Sequence, residues 1–175
     1  IMWKNILKVD EFTDEINSKA IYDSEFDKIK VNLDRFSSRS KIFDDEDRIE
    51  EFSNVVAHEN VHREYDKILG DEMRKALSNV IEATKKYSQI PYDNFEQKEN
   101  EIPNLELLIY SYLNYAIVNE KFAFTTGGRN MTKGSIRSVL SQISKTIREI
   151  IGKKDRKIDR LLSKINEETM TAIEK

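Results

Sequence analysis

The only two histidines of the chain stand four residues apart, in His58-Glu59-Asn60-Val61-His62. On an α-helix that spacing sets both imidazoles on one face, one turn apart. Their nitrogens can then converge on one metal ion. Glu59 directly follows the first histidine, where a carboxylate can reach a water beside the ion and take its proton. The chemistry this trio supports is hydrolysis: zinc lends the charge and the carboxylate is the base. The bland alternative is a pair of structural histidines flanking a solvated glutamate.

A catalytic zinc takes three protein ligands and keeps one position open. The chain has no cysteine and no third histidine, so the third ligand must be a carboxylate. Glu120 is the best candidate. It lies in the mostly apolar run Tyr115-Ala116-Ile117-Val118-Asn119-Glu120-Lys121-Phe122-Ala123-Phe124, and a carboxylate on the buried face of such a helix wants a partner. Ala116 and Ala123 flank it on the same face and would leave room for an ion. The rivals are Glu106, Glu99 and Asp71. Glu99 and Asp71 fall outside a buried helical face, and Glu106 falls near a helix start, where acids are common for dipole reasons. Alternatively, Glu120 is solvated and pairs with Lys121 or a neighbour.

On His58-Glu59-Asn60-Val61-His62 followed by Asn119-Glu120-Lys121-Phe122-Ala123, the chain resembles the gluzincin metallopeptidases. Small single-domain members, the minigluzincins, are nearest in size. The resemblance covers about Lys28 to Phe124. It implies an α+β, mostly helical, zincin-like fold: a small N-terminal sheet, an active-site helix, a later glutamate-bearing helix and C-terminal helices. It implies one Zn2+ per chain on His58, His62 and Glu120, with Glu59 as general base in peptide-bond hydrolysis of a peptide or protein substrate. It also implies an edge strand that pairs with substrate, for which Lys28–Phe36, through Lys30, Val31, Asn32 and Leu33, is the candidate. An oxyanion donor would come from Tyr65, Tyr112, Tyr115 or Arg129, each of which also has a structural reading. In thermolysin-like members an aspartate four residues after the ligand glutamate orients a ligand histidine. That position is Phe124 here, so another acceptor must orient His58.

These residues need elements to hold them. Residues 1–27 mix apolar and acidic residues and read as short helical pieces. In Lys28–Phe36, Ile29, Val31 and Leu33 alternate with Lys30, Asn32 and Asp34, the period of a half-buried strand. Ser37-Ser38-Arg39-Ser40 reads as a turn and Lys41-Ile42-Phe43 as a second short strand. The acids Asp44-Asp45-Glu46-Asp47 suit a helix start. The histidine helix is then expected to run to Leu69 and stop at Gly70, with Asp71 capping another helix through Tyr87. Residues 88–103 hold both prolines and read as a loop. A buried helix follows from Asn104 to Phe124, ended by Thr125-Thr126-Gly127-Gly128. Two more helices broken near Gly152 complete the chain.

The 175 residues, 38% of them hydrophobic, suit a metallopeptidase domain over 1–128 with a basic helical extension over 129–175 packed on it. The net charge of −3 hides an asymmetry. Arg129 to Lys164 holds eleven basic residues against three acids, a local charge of +8, and the remainder carries −11. The extension could contact nucleic acid through that charge. The apolar spacing of Ile136, Val139, Leu140, Ile143, Ile147 and Ile150 favours helices packed on the core with solvated lysines. Self-association, acidic body to basic tail, is a third reading. The opening Met2-Trp3-Lys4-Asn5-Ile6-Leu7 is too short and polar for a signal peptide, and no apolar run would span a bilayer. A cytoplasmic protein without membrane contact is therefore expected. The alternative to an enzyme is a non-catalytic binding or regulatory protein on the same scaffold. The presence of Glu59 favours the enzyme, because a scaffold could lose that base and keep its metal.

Overall fold

The computed structural model describes residues 8–36, 45–126 and 131–174. The described residues are mostly helical with one small sheet. Strands β1 (Glu11–Phe12), β2 (Ala20–Asp23) and β3 (Lys28–Val31) precede helices α1 (Asp45–Ser88), α2 (Phe95–Thr126), α3 (Lys133–Ile151) and α4 (Arg156–Glu174). Among the described residues no helix is long and apolar enough to cross a membrane.

The contacts divide the chain into two compact units: Ile1–Gly70 with Asn119–Met131, and Asp71–Val118 with Thr132–Lys175. This differs from the division expected at residue 128, because the C-terminal helices share a unit with residues 71–118.

In the first unit, β3 is the middle strand. It pairs parallel to β1 (Glu11 with Lys30, Phe12 with Val31) and antiparallel to β2 (Ala20 with Val31, Tyr22 with Ile29). The expected alternation holds over the strand itself: Ile29 and Val31 are fully buried, while Lys28 is exposed and Lys30 half-buried. The strand ends sooner than expected, since Leu33–Arg35 winds into a 3-10 turn capped by the Asn32 side chain. Residues 1–27, expected as helical pieces, contain β1 and β2 instead. Strands of two and four residues are too short to display a period, and their pairing with β3 decides their conformation. The segments expected as a turn and a strand over 37–43 lie outside the described residues. The sheet buries Ala20, Ile29 and Val31 against Val56 of α1, with Phe52 and Val55 packed alongside.

Helix α1 runs straight through Gly70, where a stop was expected. A lone glycine weakens a helix by about 1 kcal/mol against alanine and does not by itself end one. Asp71, expected as a cap, instead accepts a bond from Arg74 at 2.7 Å. Helix α2 likewise begins at Phe95 rather than Asn104 and includes Pro103. Its start is set by Asn94: its Oδ1 accepts from the Gln97 N–H at 3.2 Å, and its Nδ2 donates to Gln97 Oε1 at 2.9 Å. That reciprocal cap outweighs the proline as a boundary signal.

The second unit is helical. Its buried residues repeat every three or four positions: Ala76, Val80, Thr84 and Tyr87; Leu105, Ile109 and Leu113; Ile136, Leu140, Ile143 and Ile147; Ile158, Leu161 and Ile165, with Leu162 beside Leu161. Each helix thus gives one stripe to a shared core. Gly152 ends α3 with φ 71°, and its N–H bonds to the Arg148 carbonyl, a left-handed stop at the break expected there.

Candidate metal centre

The centre lies wholly in the first unit. The helical run through His58 and His62 stacks their rings edge-on with centroids 4.7 Å apart. Helix α2 delivers Glu120 to the same point. The two histidine Nε2 atoms are 3.0 Å apart. Glu120 Oε1 is 3.5 Å from His62 Nε2, and Oε2 is 4.0 Å from His58 Nε2. All three residues offer ligand atoms within 4.8 Å of one another. A tetrahedral zinc with bonds of about 2.0–2.1 Å keeps its ligand atoms roughly 3.3 Å apart, so the spacing fits. Without a cation, the histidine contact needs a proton between two nitrogens; a cation satisfies both lone pairs and the carboxylate together.

Asn119 supplies the part that sequence reasoning missed. Its side-chain carbonyl accepts from His62 Nδ1 at 2.8 Å. That bond places the proton on Nδ1 and leaves the Nε2 lone pair facing Glu120, which is how an outer partner prepares a ligand imidazole. A polar residue next to the ligand glutamate, inside an apolar run, was the available signal. Phe124, where the thermolysin-like pattern has an aspartate, instead packs its ring edge-on to His58 at 4.5 Å and 79°. Burial pushes the Glu120 carboxyl above its ordinary range, with His62 pulling against it. A half-buried carboxylate with that bias is one that a cation would hold ionised.

A polar frame, starting between the histidines and running past them, ties α1 to the strands and the residues that flank them. Asn60 Nδ2 donates to the carbonyls of Lys8 at 3.0 Å and Val56 at 2.9 Å. Arg63 is buried, pairs with Asp10, and donates to the Asp27 carbonyl at 2.9 Å. Asp10 also accepts the Ile29 N–H, and that bond, aided by Arg63, holds its carboxyl below the usual range. Tyr22 on β2 bonds Asp66, one turn beyond His62, at 3.4 Å.

Of the other expected site residues, Glu59 is half-buried on α1 and Tyr65 is buried one turn past His62. Tyr112 and Tyr115 belong to the second unit, and Arg129 lies outside the described residues. The expected substrate strand is a correction. Lys30 and Val31 are hydrogen-bonded in the middle of the sheet, so they present no free edge. Asn32 is buried and donates to the Ile16 carbonyl at 2.9 Å, and Leu33 has left the sheet. The sheet's edges are β1 and β2. The rival ligands are engaged elsewhere: Glu106 with Lys164 at 2.9 Å, Glu99 with Lys157 at 2.7 Å, and Asp71 with Arg74.

Comparison with protein-family models, with curated proteins and with solved structures finds no match to this chain.

Proposed function

We propose that this chain is a zinc-dependent metallopeptidase of gluzincin-like type on a zincin-like scaffold, holding one zinc through His58, His62 and Glu120. The observation that carries this reading is the convergence of two Nε2 atoms and a carboxylate, with Asn119 fixing the tautomer of His62. A zinc ion held there supplies a Lewis acid, positive charge that acidifies water and polarises a carbonyl. Glu59 takes a proton from the attacking water as a C–O bond forms. It returns that proton to the leaving nitrogen as the C–N bond breaks. Among the described residues, Tyr65 is the oxyanion donor candidate that shares the unit with this centre. With β3 internal, substrate pairing passes to β2, the longer of the two edges.

The test is hydrolysis of an unfolded protein by the zinc-loaded chain. Glu59→Gln is expected to keep its zinc and lose turnover by roughly 10²–10⁴-fold. Full activity in that variant would remove Glu59 from the reaction. No hydrolysis by the zinc-loaded wild type, across varied substrates, would favour the non-catalytic scaffold.

A further inference from the structure

The second unit holds a basic cleft for which the metal centre has no use. Tyr92 and Phe95 stand where the chain enters α2, their rings edge to face at 6.0 Å. They are 69% and 56% exposed. A cavity of about 550 Å³ opens beside them, lined also by Lys98, Lys154, Arg156, Lys157 and Arg160. Lys98 is only 3% exposed, with its ammonium 4.4 Å from the Tyr87 ring centre and 3.9 Å from Asp155.

Asp155 is the one carboxylate in that lining, and it is already engaged. It accepts the Tyr87 hydroxyl at 2.9 Å and caps α4 through the N–H groups of Lys157 and Ile158 at 3.0 and 3.2 Å. Lys154, Arg156 and Arg160 are exposed and form no ion pair among the described residues. Lys153 lies over Tyr92 at 5.5 Å and Lys157 over Phe95 at 5.9 Å, so cations and ring faces interleave. At Lys154 the cleft meets a second cavity of about 1130 Å³ along α3, lined also by Lys153, Arg137 and the ion pairs Arg148–Asp159 at 3.4 Å and Lys145–Glu149 at 3.9 Å. The apolar stripes of α3 and α4 are buried, so this charge occupies the faces those helices turn to solvent.

We infer that this cleft binds single-stranded nucleic acid, with bases stacked on Tyr92 and Phe95 and phosphates along Lys154, Arg156 and Arg160. Exposed aromatic rings can stack on any unpaired base, and a basic groove follows the backbone. A duplex hides its base faces and would gain only from the charge. Lys153 and Arg137 carry positive charge past Lys154, which suits a repeating polyanion better than one free nucleotide. The inference is independent of the metal centre.

Fluorescence anisotropy of the full chain with a labelled deoxythymidine oligomer of about twelve nucleotides is the test. Saturable binding is expected, preferred over a duplex of equal length, over inorganic polyphosphate and over thymidine monophosphate. Its log–log salt dependence should fall at about −0.7 per phosphate contacted. Tyr92→Ala with Phe95→Ala should weaken it by about tenfold or more. Arg156→Ala with Arg160→Ala should weaken it and flatten the salt slope, with helicity unchanged in both pairs. No binding at low salt overturns the inference. So does equal affinity for polyphosphate with no effect of the aromatic pair, which marks a patch of charge only. Preference for duplex or for the monophosphate overturns the single-strand assignment.

Discussion

Asn119 is the residue on which the direction of the His62 lone pair depends. Its carbonyl oxygen accepts from His62 Nδ1, the two atoms 2.8 Å apart. Asn119→Leu keeps the branched shape and removes the acceptor, so the imidazole can present either tautomer. Zinc affinity is expected to fall by about 10–100-fold, measured by competition with a chelator, while helicity stays unchanged. Asn119→Asp should restore it, because a carboxylate accepts the same bond. Equal affinity in the leucine variant would mean that another group orients the ring. At this scale the centre was largely legible. Histidine spacing, the lack of any other nitrogen or sulfur ligand and one carboxylate in an apolar run point to the three residues the structure brings together. Asn119 was not legible as a partner, because its value depends on which way α2 faces α1.

At the scale of elements, the polar frame and the helix stops are the testable features. Asp10 binds protons more weakly in the folded chain than in the unfolded one, first through the Ile29 N–H and then through Arg63. A lowered folded-state value stabilises above the ordinary aspartate value of about 3.9 and fades as pH falls through the folded value. Asp10→Asn is expected to destabilise by about 1 kcal/mol at neutral pH, the low end for charged bonds because Asp10 is partly exposed. In urea titrations run from neutral to acid pH, the gap between variant and wild type should narrow as pH falls below the ordinary aspartate value. A gap that persists at low pH would mean that the charge is not what stabilises. Gly152→Ala forces a Cβ onto a φ of 71° and should cost about 1 kcal/mol in the same titration. An unchanged midpoint would mean that the turn relaxes freely.

The elements also show where periodicity fails as a guide. The stripes of α3 and α4 and the Gly152 stop were readable because each repeats or carries a fixed backbone demand. Gly70 and Pro103 misled because punctuation residues mark boundaries only when a cap accompanies them, and the cap at Asn94 lay elsewhere. β1 and β2 were invisible because two- and four-residue strands exist through partners distant in sequence. The same cause hid the internal position of β3, since strand order is a property of the sheet and no single strand carries it.

For the whole molecule, the candidate metal centre and the basic C-terminal helices fall in different units. The first holds the His-His-Glu centre on a small sheet and two helical segments. The second is all-helical and carries the basic faces. That Glu120, distant in sequence, reaches the histidine pair follows from the return of Asn119–Met131 to the first unit, which no local pattern announces. The central claim is that these three side chains form a zinc site. It is tested most directly by metal content of the purified, zinc-reconstituted chain, measured by mass spectrometry beside His58→Ala and Glu120→Ala. The expected result is about one zinc per chain in the wild type and its loss from both variants, with helicity intact. A wild-type chain that takes up no zinc, or variants that keep it in full, would contradict the account.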